Sequence, residues 1–255
     1  MLRAKVNRHA RQRLVTLEEF CDVGSASLRH PTSTFLPIAR LDSPQHPATP
    51  IEGVVCIMRL GIYGGTFDPI HYGHLALAEQ CREQCQLDEV WFVPAAHPPH
   101  KLGVTISSAQ ARCEMLEFAI AGHLQFKLSH LELERPGPSF TVTTLEQLHA
   151  EDASTELFLL IGADSLQDLP HWREPQRILE LATVVAVNRG EAPLPARSVL
   201  ESQLGPAAAR VQIVQMPGLD LAASDLRRRV SCGQSIRYLV PRAVETYIDQ
   251  RRLYR

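Results

Sequence analysis

No apolar run in this chain approaches the roughly 18 residues that a helix needs to cross a bilayer. The N-terminus also lacks the continuous apolar core of a secretory signal. Neither sign of charge dominates: 26 Lys and Arg stand against 28 Asp and Glu, a formal net charge of −2. The two signs are interspersed, so nothing in the composition points to nucleic acid or an anionic membrane as partner. Of the six cysteines (Cys21, Cys56, Cys81, Cys85, Cys113 and Cys232), none forms a CxxC pair. Their spacing fits neither a zinc framework nor a disulfide scaffold. Cys81 and Cys85, at i and i+4 on an expected helix, read as two small buried apolar residues. A reducing, cytoplasmic setting is the expectation. Internal repeats are missing, and so is the GxGxxG fingerprint: Gly61, Gly64 and Gly65 fall at the wrong offsets, which weakens an oxidoreductase reading.

What is present divides at about residue 57. Residues 1–57 combine an Arg-rich start with a Pro/Ser/Thr-rich stretch from Pro31 to Pro50, and show no sustained period beyond a short helix near Val15–Cys21. This is the composition of a flexible N-terminal extension. Met58 stands directly before the first strand pattern, so a start codon chosen too far upstream would also account for the arm. Its acid-free first residues resemble an organellar transit peptide as well.

From residue 58 to 255 the chain reads as one domain in which strands and helices alternate. Strands are expected at Arg59–Tyr63, Glu89–Val93, Gln125–Leu128, Glu156–Ile161, Thr183–Val187 and Val211–Val214. Helices are expected at Tyr72 to about Gln86, from a capping box at Ser107–Gln110 through Ala121, at Thr141–His149, Pro175–Leu181, about Ser224–Cys232 and Pro241–Arg252. Strands this apolar, separated by helices, predict an α/β fold: a Rossmann-like, doubly wound parallel sheet with helices on both faces. Ligands in such sheets bind beyond the carboxyl ends of the strands.

The segment Gly61–His74 (GIYGGTFDPIHYGH) lies at such an end. Glycines bring backbone N–H groups close to phosphate because no Cβ blocks the approach. His71 and His74, at i and i+3 around a helix start, point the same way and can donate to one polyphosphate. A tight strand-to-helix connection would explain the glycines alone; the two histidines favour anion binding. The pair could also hold zinc, but no third ligand is evident nearby.

A second segment, Ile161–Trp172, follows the central strand. Gly162 lets the chain turn, Asp164 can accept from ribose hydroxyls, and Trp172 is either core or a stacking platform. Leu221–Arg227 reads as a helix start with a hydroxyl cap at Ser224 and a forked cation at Arg227, both suited to phosphate. Lys101 in a Pro-Pro-His-Lys loop, Ser139-Phe140-Thr141 and Arg189 are further polar candidates.

Together these segments resemble the nicotinate-nucleotide adenylyltransferases of the nucleotidylyltransferase superfamily. Gly64–His74 carries the superfamily's GGTFDPxHxGH signature, Pro98–Lys101 the PPHK loop, and Ile161–Trp172 the IGxDxxxxLPxW segment. Pro138–Thr141 and the C-terminal Leu239-Val240-Pro241, Tyr247-Ile248 and Leu253-Tyr254 match too.

The resemblance implies adenylyl transfer from ATP to nicotinate mononucleotide, giving nicotinate adenine dinucleotide and pyrophosphate for NAD biosynthesis. It implies that His71 and His74 are catalytic and that Gly64, Gly65, Thr66, Gly162, Asp164, Ser224 and Arg227 bind ATP. Lys101, Thr141, Trp172 and Arg189 would bind nicotinate mononucleotide. Mg²⁺ would ride on the ATP phosphates, with no dedicated protein metal site.

Three departures weaken the match: Ala222 and Ala223 replace serines with Ser224 in a threonine's place, Ala95 replaces an asparagine, and Phe140 a tyrosine. Each lost hydrogen bond to a charged group costs about 1.5–3 kcal/mol if nothing substitutes. Adenylyl transfer to phosphopantetheine, cytidylyl transfer to an alcohol phosphate, and a non-catalytic nucleotide-binding module remain as alternatives.

Overall fold

The computed structural model describes residues 57–96, 106–189 and 194–255. The expected short helix near Val15–Cys21 and the Pro98–Lys101 loop lie outside them, as does the side chain of Arg189. All described residues belong to the unit that begins at Gly53.

Six parallel strands run in the order β3-β2-β1-β4-β5-β6. They are β1 (Arg59–Gly65), β2 (Glu89–Pro94), β3 (Phe126–Leu128), β4 (Glu156–Gly162), β5 (Ala182–Arg189) and β6 (Val211–Met216). The order reverses between β1 and β4, whose carboxyl ends carry Gly65 and Gly162. In open parallel sheets a crevice opens at that switch point. Both signature segments of the sequence therefore meet there.

The helices are α1 (Tyr72–Gln84), α2 (Ala109–Ile120), α3 (Leu131–Glu134), α4 (Thr141–Glu151), α5 (Ala163–Asp168), α6 (Pro175–Leu181), α7 (Arg197–Leu204), α8 (Ala223–Ser231) and α9 (Arg242–Gln250). Strand side chains alternate between two cores, as a sheet buried on both faces requires. Phe158 and Leu160 face one core with Leu77, Leu116, Leu226 and Val244. Leu157, Leu159 and Ile161 face the other with Leu145, Leu166, Ile178 and Leu200. Cys81 and Cys85 are buried in the first core, as small apolar residues. Gly61 is a packing glycine, since a Cβ there would come within 2.8 Å of Leu87 Cδ1. No helix among the described residues is long and apolar enough to cross a membrane.

Several local expectations shift. The N-cap of α2 is Ser108, whose side chain accepts the Ala111 N–H at 3.2 Å, while Gln110 instead reaches Glu114 at 2.8 Å. Pro241 is the N-cap of α9 rather than its first helical residue. The segment after Gly162 is helical: α5 follows directly, then a 3₁₀ turn at Leu169–His171.

Candidate active site

Between β1 and α1 the chain passes from Gly65 to His71, the N-cap of α1, with His74 at its N3 position. The two imidazoles stack with centroids 3.7 Å apart and planes at 23°, so they share a direction as their spacing predicts. The His71 backbone N–H donates to His74 Nδ1 at 3.3 Å. A ring nitrogen that accepts carries no proton, so a neutral His74 carries its proton on Nε2. His71 itself is 2% exposed, and Gly73 makes room for it: a Cβ there would lie 3.0 Å from His71 Nδ1. The dipole at the start of α1 adds positive potential at the same point.

Gly64 and Gly65 play different parts. A Cβ on Gly64 would meet no protein atom within 4 Å, so its backbone faces open space. A Cβ on Gly65 would strike the Phe67 ring at 2.8 Å. Phe67 is 2% exposed and holds a positive φ of 51°, so the turn closes over a buried aromatic.

A cavity of about 430 Å³ opens beside this turn. Gly64, Gly65 and Thr66 form one wall, and Ala95, Phe140, Thr141, Ile161 and Trp172 are among the others. It thus joins three residues expected at ATP to two expected at nicotinate mononucleotide. Phe140, where a tyrosine was expected, carries Arg173 over its ring at 4.7 Å. Ser139 Oγ accepts the Ala96 N–H at 3.0 Å, which ties the loop before α4 to the end of β2.

The remaining expected residues fall as follows. Gly162 ends β4 and is the N-cap of α5, which places the exposed Asp164 in that helix's first turn rather than in a loop. Ser224 is not a hydroxyl cap: Ala222 is the N-cap of α8, no side chain caps the helix, and Ser224 lies exposed in its first turn. With alanines before it, the helix starts two residues earlier than a cap at Ser224 would set it. Arg227, one turn on, reaches across to donate to the Asp68 carbonyl at 2.7 Å. Arg189 ends β5, while Lys101 lies outside the described residues.

Three functional candidates escaped the sequence: Arg112, Asp68 and Glu132. Arg112, 1% exposed, donates to the carbonyls of Ser107, Thr66 and Ala95 at 3.2, 2.9 and 2.9 Å. It clamps the glycine turn to β2 and to the start of α2. Burial lowers its pKa, and the nearby Asp68 carboxylate opposes that. Asp68, also 1% exposed, accepts the Ser107 N–H on Oδ2 and the Tyr254 hydroxyl on Oδ1. Glu132 lines the cavity and accepts from Thr144 Oγ1 at 2.8 Å. One signal was available: Arg112 shares a helical face with the buried Met115 and Leu116, where a solvated arginine has no place.

Comparison with known proteins agrees with this geometry. Residues 62–229 match the family described as cytidylyltransferase-like. A protein of Thermomicrobium roseum named "Probable nicotinate-nucleotide adenylyltransferase" is 46% identical over 197 residues, covering 77% of this chain and 92% of its own. One of the same name from Thermus thermophilus is 45% identical over 203 residues, covering 78% and 100%. Among solved structures, the Plasmodium falciparum nicotinic acid mononucleotide adenylyltransferase complexed with NaAD superposes with a TM-score of 0.65 at 19% identity, over 77% of this chain and 97% of that one. That likeness fixes the fold. The chain therefore belongs to the nicotinate-nucleotide adenylyltransferases, within the cytidylyltransferase-like family.

Proposed function

We propose that this chain transfers the adenylyl group of ATP to nicotinate mononucleotide by direct in-line displacement, with the triphosphate held at the β1–α1 turn. The observation that carries the proposal is the stacked His71–His74 pair at the start of α1, beside a glycine turn that opens into the 430 Å³ cavity. A phosphate oxygen of nicotinate mononucleotide attacks the α-phosphorus. Its bond to the bridging oxygen breaks, and pyrophosphate leaves. An ionised phosphate is already nucleophilic, so the protein needs no general base. Its tasks are alignment and neutralisation of charge on the transferring group.

His71 and His74 would donate to α- and β-phosphate oxygens, and Arg227 would meet the β/γ end. Gly162 and Asp164 would take the ribose, and Ser224 would join Arg227. Thr141 and Trp172, from the cavity wall, would hold the nicotinate nucleotide, with Lys101 and Arg189 nearby. Among the described residues no group of three His, Cys, Asp or Glu could hold a metal ion. Mg²⁺ would be held mainly through triphosphate oxygens and water, where it would neutralise the departing pyrophosphate.

The test is ATP-dependent pyrophosphate release with nicotinate mononucleotide, its amide, phosphopantetheine and an alcohol phosphate as rival acceptors. Turnover is expected with the first, and none on any acceptor would refute the proposal. His74→Ala should lower kcat by several orders of magnitude with the fold intact. A variant near the parent rate would remove His74 from the mechanism.

A further inference from the structure

The C-terminal Leu253-Tyr254 pair belongs to the family pattern, yet adenylyl transfer gives it no task. In the fold it returns to the phosphate turn. After α9 the chain reverses through Arg252, at a φ of +52°, and the Leu253 N–H donates to the Ile248 carbonyl at 3.0 Å. Leu253 and Tyr254 then pack on the first core.

The Tyr254 hydroxyl donates to Asp68 Oδ1 at 2.5 Å, across 186 positions of sequence. Asp68 Oδ2 accepts the Ser107 N–H at 3.1 Å, so both carboxylate oxygens of this buried residue are held. The carbonyl of the same residue accepts Arg227 Nη1 at 2.7 Å. Asp68 also lies three residues before His71, inside the turn that connects the glycines to the histidine pair. A second tie comes from nearby in the C-terminal region: the Tyr72 N–H, at the first turn of α1, donates to the Leu239 carbonyl at 3.2 Å.

We propose that Tyr254 is a positioning residue for the triphosphate: its hydroxyl fixes the Asp68 peptide, and through that peptide sets the reach of Arg227. This rests on the placement of the triphosphate at the β1–α1 turn. Without the hydroxyl, Oδ1 of a buried carboxylate loses its donor, and the carboxylate turns toward Arg112 or toward water. Either movement rotates the peptide whose carbonyl anchors Arg227. The effect falls on the β/γ end of ATP and spares the nucleoside end.

The experiment is isothermal titration of the full chain with ATP and, separately, with AMP, which lacks the β- and γ-phosphates. Tyr254→Phe keeps the ring and removes one oxygen. It is expected to weaken ATP about tenfold while AMP stays within about twofold of the parent. In an Arg227→Ala background the same change is expected to cost nothing further, because coupled residues are not additive. Asp68→Asn, which keeps the phenol but replaces the carboxylate, is expected to shift the ATP-to-AMP ratio in the same direction. Parental ATP affinity in Tyr254→Phe, equal weakening of ATP and AMP, or full additivity with Arg227→Ala would each overturn the proposal. Since the readout is binding, it decides the role of Tyr254 whether or not nicotinate mononucleotide is the acceptor; parental pyrophosphate release decides that point separately.

Discussion

Replacing Arg112 with methionine should damage stability before it damages chemistry, and the size of the loss follows from the geometry. The guanidinium is 1% exposed and satisfies three backbone carbonyls, with the Asp68 carboxylate close enough to raise its pKa against the desolvation that lowers it. Bonds to a charged donor are worth about 1.5–3 kcal/mol each, but three bonds from one cation do not simply sum. Methionine fills much of the volume. It still leaves three carbonyls without their donor and removes the positive charge near the Asp68 carboxylate. The loss of these charge-assisted bonds together costs about 3–5 kcal/mol. For a domain of this size that corresponds to a fall in Tm of roughly 6–20 °C. Thermal unfolding by circular dichroism reads it directly. Arg112→Lys keeps the charge but lacks the planar fork, so it should melt between parent and methionine variant. A methionine variant melting within about 3 °C of the parent would refute the account of Arg112 as the clamp of the turn.

Gly65→Ala places a Cβ 2.8 Å from the buried Phe67 ring; overpacking of about 1–3 kcal/mol and a raised KM for ATP are expected from melting and steady-state kinetics. Trp172→Ala should raise KM for nicotinate mononucleotide roughly 5- to 150-fold, the range that loss of ring stacking spans, with KM for ATP little changed. Thr144→Val removes the hydroxyl that donates to Glu132 at 2.8 Å and accepts from Arg135 at 3.2 Å; denaturant unfolding should show a loss of about 1.5–3 kcal/mol, and Thr144→Ser should restore most of it. Burial, then the bond to Asp68, raises the Tyr254 phenol above its ordinary value of 10.0. The folded chain therefore holds this proton more tightly than the unfolded one, so its contribution is complete below about pH 10 and is lost as pH rises further. Tyr254→Phe should make the alkaline fall in stability shallower than in the parent.

Strand and helix alternation was legible because the central strands are buried on both faces and read as short apolar runs, as in Glu156–Ile161. The histidine pair was legible because its spacing and the glycines before it are local. Elements without such signals were missed. Ala163–Asp168 is a single short helix entered through a glycine, and Arg197–Leu204 buries only Leu200 and Leu204. The Ser224 cap failed because two alanines let α8 begin two residues before that cap would set it. Arg112, Asp68 and Tyr254 act through bonds that span 46 and 186 positions, distances at which residue type carries no pairing information.

A crystal structure of the full chain with a non-hydrolysable ATP analogue and Mg²⁺ bears most directly on the whole account. The triphosphate should lie across Gly64–Thr66, with oxygens in hydrogen-bond reach of the His71 and His74 rings and of Arg227. An analogue seated elsewhere, with those imidazoles touching no phosphate, would contradict it.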